Sequence, residues 1–182
     1  MAATQKAKLH LSVQITEFDQ DTGKSQIVDI LDKAPFSRIF REGTSDGQID
    51  IVHATALSLA GSGSTTIDLR GTLTDLAGDT ITAAELVAVA VVNTTVGSAK
   101  ADSIIAWGPN SSNGCTAFFG DASDRRHVLS GRAADDPGID IAYSGWGVDL
   151  PVGAGNGDTY EVSNTDTVNA ATGWFLVIGR SA

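Results

Sequence analysis

Turn-forming residues interrupt this chain so often that few segments are long enough for a helix. The clusters GSGST at 61–65, GPNSSNG at 108–114 and DDPGID at 135–140 are rich in glycine, proline, asparagine, aspartate and serine, which favour reversals of the chain. Between such clusters lie roughly ten to twelve short apolar segments, at the spacing typical of a sandwich, jelly roll or barrel. No strand–helix alternation is visible. We therefore predict an all-β fold, a jelly roll or a related antiparallel β-sandwich.

The first strands are predicted to form an N-terminal hairpin. Apolar and polar residues alternate over 9–16, which is the pattern of a half-buried strand. A turn signal at 17–26 leads to a second strand at 27–31. The short apolar run at 36–40 is compatible with a helical turn or with a strand.

We expect one β domain over 1–182, with a hairpin or arm at 1–47 and a β-sandwich core at 48–182. The first residues, 1–16, could form an arm that adds a strand to a neighbouring chain. They could equally be an ordinary first strand of the same sheet.

The segment ELVAVAVVN at 85–93 is nearly all apolar. Alanine and leucine would suit a helix, but the dense valines and the following asparagine favour a central strand buried on both faces. Seven further strands are predicted before the last one, at 49–60, 65–75, 103–108, 116–121, 125–130, 141–150 and 159–164. The apolar run WFLVIG at 174–179 closes the chain as a final strand.

Charge and composition exclude several classes of function. The net charge is −10, which disfavours nucleic acid and anionic membrane surfaces as partners. No apolar run reaches transmembrane or signal-peptide length, so we expect synthesis in a cytoplasm without export. The single cysteine, Cys115, allows no internal disulfide and is expected to be a small buried hydrophobe.

The glycine-rich segment PVGAGNGDTYEV at 151–162 invites comparison with a phosphate-binding loop. Such loops lead into a helix, whose free amide groups face the anion. Here the glycines lead into TYEV, which is a strand signal, and Asn156-Gly157 is typical of a turn. A corner between two sheets is the favoured interpretation.

No catalytic, cofactor or metal site is predicted. The acidic segment at 19–23 lacks the later ligands of a calcium loop, and Asp135, Asp136 and Asp140 are explained as part of a Pro-Gly turn. The histidines have no paired spacing for zinc; they are His10, His53 and His127. Nothing nominates Glu85 with Glu161 as paired catalytic acids.

The aromatic residues suggest contacts rather than chemistry. Tyr143 with Trp146 could form a platform for a sugar ring, but packing of Trp146 and Trp174 in the core or at a subunit contact is favoured. Neighbouring strand residues face opposite ways, so one of Phe118 and Phe119 is expected to face outward or into a partner.

Part of the chain resembles virion structural proteins of tailed bacteriophages. The similarity rests on a strand with a central histidine, His53, on DLRGTLTD at 68–75 and GDTIT at 78–82, and on the valine-rich strand that ends in Asn93. GWGVDLPVGAGNGDTYEVSN and the closing FLVIGRSA continue the pattern. The resemblance covers about residues 48–182, and the chain departs from it over 98–140.

This resemblance implies a non-enzymatic component of the virion, assembled in the host bacterial cytoplasm. We expect a capsid decoration or cement protein that works as a homo-oligomer and binds the major capsid protein or other virion proteins. The alternatives are a tail or neck component and a carbohydrate-binding module for host surface glycans. Candidate interface residues are Leu9, Leu11, Phe36, Phe40, Phe118, Phe119 and Trp146.

Overall fold

A computed structural model shows that the protein is built from strands. The structure describes residues 8–11, 14–19, 24–29, 36–39, 41–46, 48–71, 73–74, 80–95, 104–129, 137–144, 150–153 and 157–181, and none of these is helical. The strands are β1 (Lys8–Leu11), β2 (Gln14–Asp19), β3 (Lys24–Asp29), β4 (Phe36–Ile39), β5 (Arg41–Glu42), β6 (Gln48–Ile49), β7 (Ile51–Leu59), β8 (Ser64–Asp68), β9 (Glu85–Asn93), β10 (Ile104–Pro109), β11 (Arg126–Leu129), β12 (Gly138–Tyr143), β13 (Thr159–Asn164) and β14 (Ala171–Arg180). The predicted all-β fold is confirmed.

The last eight strands form two antiparallel sheets of four strands each. Sheet I has the order β12-β9-β14-β7, and sheet II has the order β11-β10-β13-β8. Side chains from both sheets contribute to one buried apolar cluster. The arrangement is therefore a β-sandwich, as the sequence predicts.

The pairing within these sheets is nested. The first strand of the eight, β7, pairs with the last, β14, and likewise β8 pairs with β13, β9 with β12 and β10 with β11. Two further pairs, β14 with β9 and β13 with β10, complete the sheets. The chain consequently passes back and forth between the sheets, and every strand of one sheet depends on distant parts of the chain.

The predicted N-terminal hairpin is present. Its bounds differ from the prediction: β2 pairs with β3 in antiparallel register from Gln14–Asp29 to Asp19–Lys24, so both strands extend into the predicted turn at 17–26. The predicted strand at 9–16 contains residues of two strands, β1 and β2, and only β2 belongs to the hairpin. The ambiguous run at 36–40 contains a strand, β4, which pairs with β1. That residues 1–16 add a strand to a neighbouring chain stays a prediction.

Three aromatic side chains hold the two sheets together at the centre. Trp107 of β10, Tyr160 of β13 and Phe175 of β14 are fully buried. The Trp107 ring meets Tyr160 edge-on at 5.6 Å and Phe175 of the opposite sheet edge-on at 6.3 Å. Edge-to-face contacts of this kind add to the free energy that burial alone supplies.

The central strand β9 has the predicted bounds and lies between β12 and β14. Four consecutive residues, Leu86 to Val89, are buried, which confirms burial on both faces in that half of the strand. Further along, Ala90 and Val92 are only half-buried, because they point away from the sandwich core.

Some predicted bounds are wrong. The segment 116–121 is not a strand but a turn, in which the Phe119 amide donates to the Thr116 carbonyl at 2.8 Å. Phe118 has a positive φ of 71° there, and the Phe119 ring packs edge-on against Trp107 at 5.0 Å. Core packing of the aromatic rings, which local propensity does not report, holds the chain in this turn.

Other strand ends also differ from the predictions. The predicted turn at 135–140 already contains the start of β12, because Gly138 pairs with Asn93. β12 ends at Tyr143, and the rest of the predicted strand at 141–150 falls largely outside the described residues. The predicted strand at 65–75 ends at Asp68. Long-range pairing with β9 extends β12 into a segment that local turn residues mark as a loop.

We predict that Gly173→Ala destabilises the fold strongly. A Cβ at this position of β14 would lie 2.1 Å from the Val92 carbonyl oxygen and 3.1 Å from Ile105 Cδ1, so a central strand must shift. The free energy of unfolding should fall by about 1–3 kcal/mol or more, measured by urea denaturation. Gly120→Ala is the control, because its nearest contact is the movable Asp124 carboxylate at 3.2 Å. Equal stability of both variants would contradict the prediction.

Candidate functional site

The outer face of sheet I is apolar over all four of its strands. Alternate residues point away from the sandwich core, three from each strand, and the register aligns them in rows across the sheet. We call these residues the apolar face: Val52, Ala54 and Ala56 of β7; Ala88, Ala90 and Val92 of β9; Ile139, Ile141 and Tyr143 of β12; and Trp174, Leu176 and Ile178 of β14. None of these side chains is charged.

The apolar face is most open at one end. Ile139 is 58% exposed and Trp174 is 46% exposed, and both lie opposite Val92 in one row. At the other end Tyr143, with Ile178 and Val52, packs on a small buried cluster formed by Ile49 and Val87. The exposed row is therefore the part of the face that a partner could cover most.

The outer face of sheet II is more polar, although β10 contributes Ile104 and Ala106 to it. Its outward positions include hydroxyl, carboxylate and imidazole side chains, namely Ser64, Thr66, Asp68, Glu161, Ser163 and His127. A two-sheet sandwich ordinarily keeps both outer faces polar, with apolar residues directed inward. Three residues of the apolar face are exposed, Ala56, Ile139 and Trp174, eight are half-buried and Ala88 is buried. An exposed apolar patch rimmed by polar residues marks an interaction site. The contrast between the two faces makes the apolar face the candidate functional site.

A polar cluster joins the sheets at one edge of the sandwich. The buried Trp107 indole donates from Nε1 to Asp140 Oδ2 at 2.8 Å. Arg126 of β11 donates to both oxygens of the same carboxylate, each at 2.6 Å. Its guanidinium also lies 5.6 Å from the centre of the Trp107 ring. This Trp107–Asp140–Arg126 clasp links β10 and β11 of sheet II to β12 of sheet I.

The clasp is a structural device rather than a reactive one. Burial by itself raises the pKa of Asp140, but hydrogen bonds from Arg126 and Trp107 outweigh that effect and lower the pKa below its ordinary value. Asp140 is therefore an ionised, fully engaged acceptor at neutral pH. Both of its oxygens are already engaged, so it is not available to bind an ion together with Asp135 and Asp136, which lie outside the described residues.

Two asparagines that carry the resemblance are also structural. Asn93 donates from Nδ2 to the Val128 carbonyl of the opposite sheet at 3.0 Å, while its Oδ1 accepts from Thr95. Asn164 donates to the carbonyls of Ala60 and Asn169 at 3.1 and 2.7 Å. Both satisfy main-chain groups where strands end.

The glycine-rich segment leads from one sheet to the other, as predicted. Before it, residues 150–152 pair with 84–86 beside the start of β9 in sheet I. After it, β13 of sheet II begins at Thr159, so the segment leads into a strand and not into a helix. Residues 154–156 lie outside the described part of the chain.

Cys115 is fully buried, which confirms its predicted role as a small core residue. Burial raises the pKa of its thiol, so the sulfur stays protonated and is a poor nucleophile. The neighbouring Tyr160 hydroxyl donates to the Ala117 carbonyl at 2.8 Å. Burial raises the pKa of Tyr160 as well, so this pair serves packing rather than proton transfer.

The other polar candidates are dispersed. No group of three metal-ligating side chains occurs among the residues the structure describes. His53 is buried, with Nδ1 2.6 Å from the Thr74 carbonyl oxygen, whereas His127 is exposed. Glu85 forms an ion pair with Arg180. The calcium candidate at 19–23 falls largely outside the described residues.

The predicted interface residues lie in different parts of the structure. Phe118 and Phe119 are both partly buried against the main core. Leu9 and Leu11 lie on β1, where Leu11 is paired with Phe36 of β4. A role at an interface stays a prediction for Leu9, Leu11, Phe36, Phe118 and Phe119. Phe40 and Trp146 lie outside the described residues.

Sequence reasoning missed most of the apolar face. The prediction that Trp174 packs in the core is wrong, because its side chain points outward and is 46% exposed. The alternative, that Trp174 lies at a subunit contact, stays a prediction. The available signal is that β9 and β14 are apolar at both their inward and outward positions. Such strands are typical of sheets covered on both faces.

Comparisons of the chain with protein-family models, with curated proteins and with solved structures found no match. In the described ranges, no helix has the length and apolar character needed to cross a membrane. We therefore infer the function from the sequence resemblance, the fold and the character of the surfaces.

We predict that Asp140→Asn lowers the free energy of unfolding by about 1–2 kcal/mol at neutral pH, because an amide cannot pair with Arg126 as a carboxylate does. The folded state lowers the pKa of Asp140, so the carboxylate stabilises the fold above its unfolded pKa of about 4. That contribution is lost as the pH falls through the lower folded value.

Urea denaturation at about pH 7 and about pH 3 measures this difference between wild type and variant, which should shrink at the lower pH. Glu161→Gln is the matched control, since it removes the same charge on the outer face of β13. A difference that stays constant over this pH range would rule out the assigned role of the clasp.

Proposed function

We propose that the protein is a non-enzymatic structural protein of a tailed-bacteriophage virion that decorates and stabilises the outside of the head. The nested pairing of eight strands, first with last, supports a jelly roll. Jelly rolls recur in viral capsid proteins and in lectin domains and cupins. Fold alone does not select among these functions, so the surfaces must decide.

The apolar face is the observation that carries the proposal. It is an uncharged surface on a regular sheet, not a concave pocket with converging polar groups. A surface of this kind binds another apolar surface of matching shape, as in a permanent assembly. The conspicuous polar side chains of the described core, such as Asp140 and Asn93, are engaged in structural bonds.

The charge of the chain supports an external position. An inner capsid surface faces DNA phosphates and favours positive charge, whereas this chain has a net charge of −10. On the outside of a head, buried apolar and main-chain contacts would bridge neighbouring shell subunits. Such contacts oppose their separation under internal pressure without any chemical step.

We predict that the purified protein binds heads of the phage that encodes it, prepared from particles lacking the protein. Binding should saturate at a fixed number of copies per head and should raise the temperature at which heads release DNA, because occupied sites stabilise the bound state. Co-sedimentation and a thermal release assay measure the two effects.

Tails of the same phage and a glycan array serve as controls. Binding to tails alone would favour a tail or neck component. A glycan signal that is lost on Trp146→Ala, without binding to heads or tails, would favour the carbohydrate-binding alternative. Either result would overturn head decoration.

A further inference from the structure

Side-chain size alternates from strand to strand across the apolar face. The outward residues of β12 and β14 are large: Ile139, Ile141, Tyr143, Trp174, Leu176 and Ile178. Those of β9 and β7 are alanines, apart from Val92 and Val52. Because the strand order is β12-β9-β14-β7, the surface has a ridge, a groove, a ridge and a groove.

This profile is complementary to itself. A rotation of 180° about an axis parallel to the strands, between β9 and β14, turns the face onto a second copy. The rotation places β12 over β7 of the second copy and β14 over its β9. In the two rows nearest the open end, ridges then meet grooves and each row meets the same row, so Ile141 lies over Ala54 of the second copy and Leu176 over its Ala90. The third row is closed within the chain, because Ala88 is buried and its neighbours pack on Ile49 and Val87.

We propose that the apolar face binds the same face of a second copy of this chain and forms a twofold-symmetric dimer. In such an interface one patch serves both subunits, and each contact occurs twice. The two sheets would pack face to face about 10 Å apart, as sheets do within a sandwich. This inference rests on the proposed structural role and deepens it: the apolar face joins two copies of the chain, and the remaining surface of the dimer contacts the shell.

The size of the face fits the centre of a dimer interface. Four strands about 4.8 Å apart and five residues of about 3.4 Å each give roughly 300 Å² in plan. A standard interface buries about 800 Å² on each side, with an apolar centre and a polar rim. Thr94, Thr172 and Ser58 form an uncharged polar row beside the open end of the face.

The charge distribution is compatible with a second copy in this orientation. Two chains of net charge −10 repel each other, but the apolar face contributes no charge to the contact. The half-exposed Ala90 and Val92 would be covered by the dimer, so β9 would be buried on both faces along its whole length. The nearly continuous apolar sequence of β9 is typical of that environment.

We predict a wild-type mass of twice the 18.7 kDa of one chain in light scattering at micromolar concentration. Ile141→Glu and Ala54→Lys should each raise the dimer dissociation constant about a hundredfold or more, because each places two unpaired charges in the interface. Ser64→Glu, on the polar outer face of sheet II, should leave the mass unchanged.

The double variant Ile141→Glu with Ala54→Lys tests the geometry itself. These positions lie on the opposite edge strands of sheet I, three strand spacings or about 14 Å apart, so they cannot pair within one chain. In the proposed dimer, position 141 of one copy lies over position 54 of the other, so the introduced glutamate and lysine can pair. Dimers should therefore form again in the double variant. Circular dichroism and urea denaturation verify that each variant is folded.

Three results would overturn the inference. One is a wild-type monomer, as expected if another segment of the same chain covers the face. The others are an oligomer that Ile141→Glu leaves intact and a double variant that stays dissociated although it is folded. Head binding is measured separately, so a dimer without affinity for heads would refute the proposed function alone.

Discussion

The need to bury Trp107 without losing its hydrogen bond constrains the whole sandwich. Its ring is the centre of an aromatic cluster that draws on both sheets, and its indole N–H requires an acceptor in a region that excludes water. Asp140 provides that acceptor from the opposite sheet, and Arg126 balances its charge. The same three residues therefore set the relative position of β10, β11 and β12, which lie at one edge of the sandwich.

The nested strand pairing determines which residues share a surface. Ile139 and Trp174 are far apart in sequence, yet both are aligned with Val92 because β9 pairs with β12 on one side and with β14 on the other. A one-residue slip of β12 would turn Ile139 into the core and Asp140 out of it, and a slip of β14 would turn Trp174 into the core. The Trp107–Asp140 bond and the composition of the apolar face thus depend on the same register.

Local sequence was informative where a segment's environment is uniform along its length. β9 and β13 have the predicted bounds because a continuous or alternating apolar pattern ends at a polar residue, Asn93 or Asn164. The prediction of a strand from local sequence is wrong at 116–121, because contact of Phe119 with Trp107 outweighs the strand propensity of adjacent aromatic residues. The apolar face was not predicted because outward and inward positions can be told apart only once the register is known.

The residues that carry the phage resemblance are not the residues of the apolar face, and the two groups have different roles. Asn93, Asn164 and the segment 68–71 close turns and strand ends, so they report the architecture that a chain adopts. The apolar face indicates where the chain contacts a partner. β7 is an edge strand of sheet I and would lie over β12 of a second copy in the proposed dimer. Ile49, just before β7, packs with Val52 at the closed end of the face, so the chain that leads into β7 borders the proposed interface.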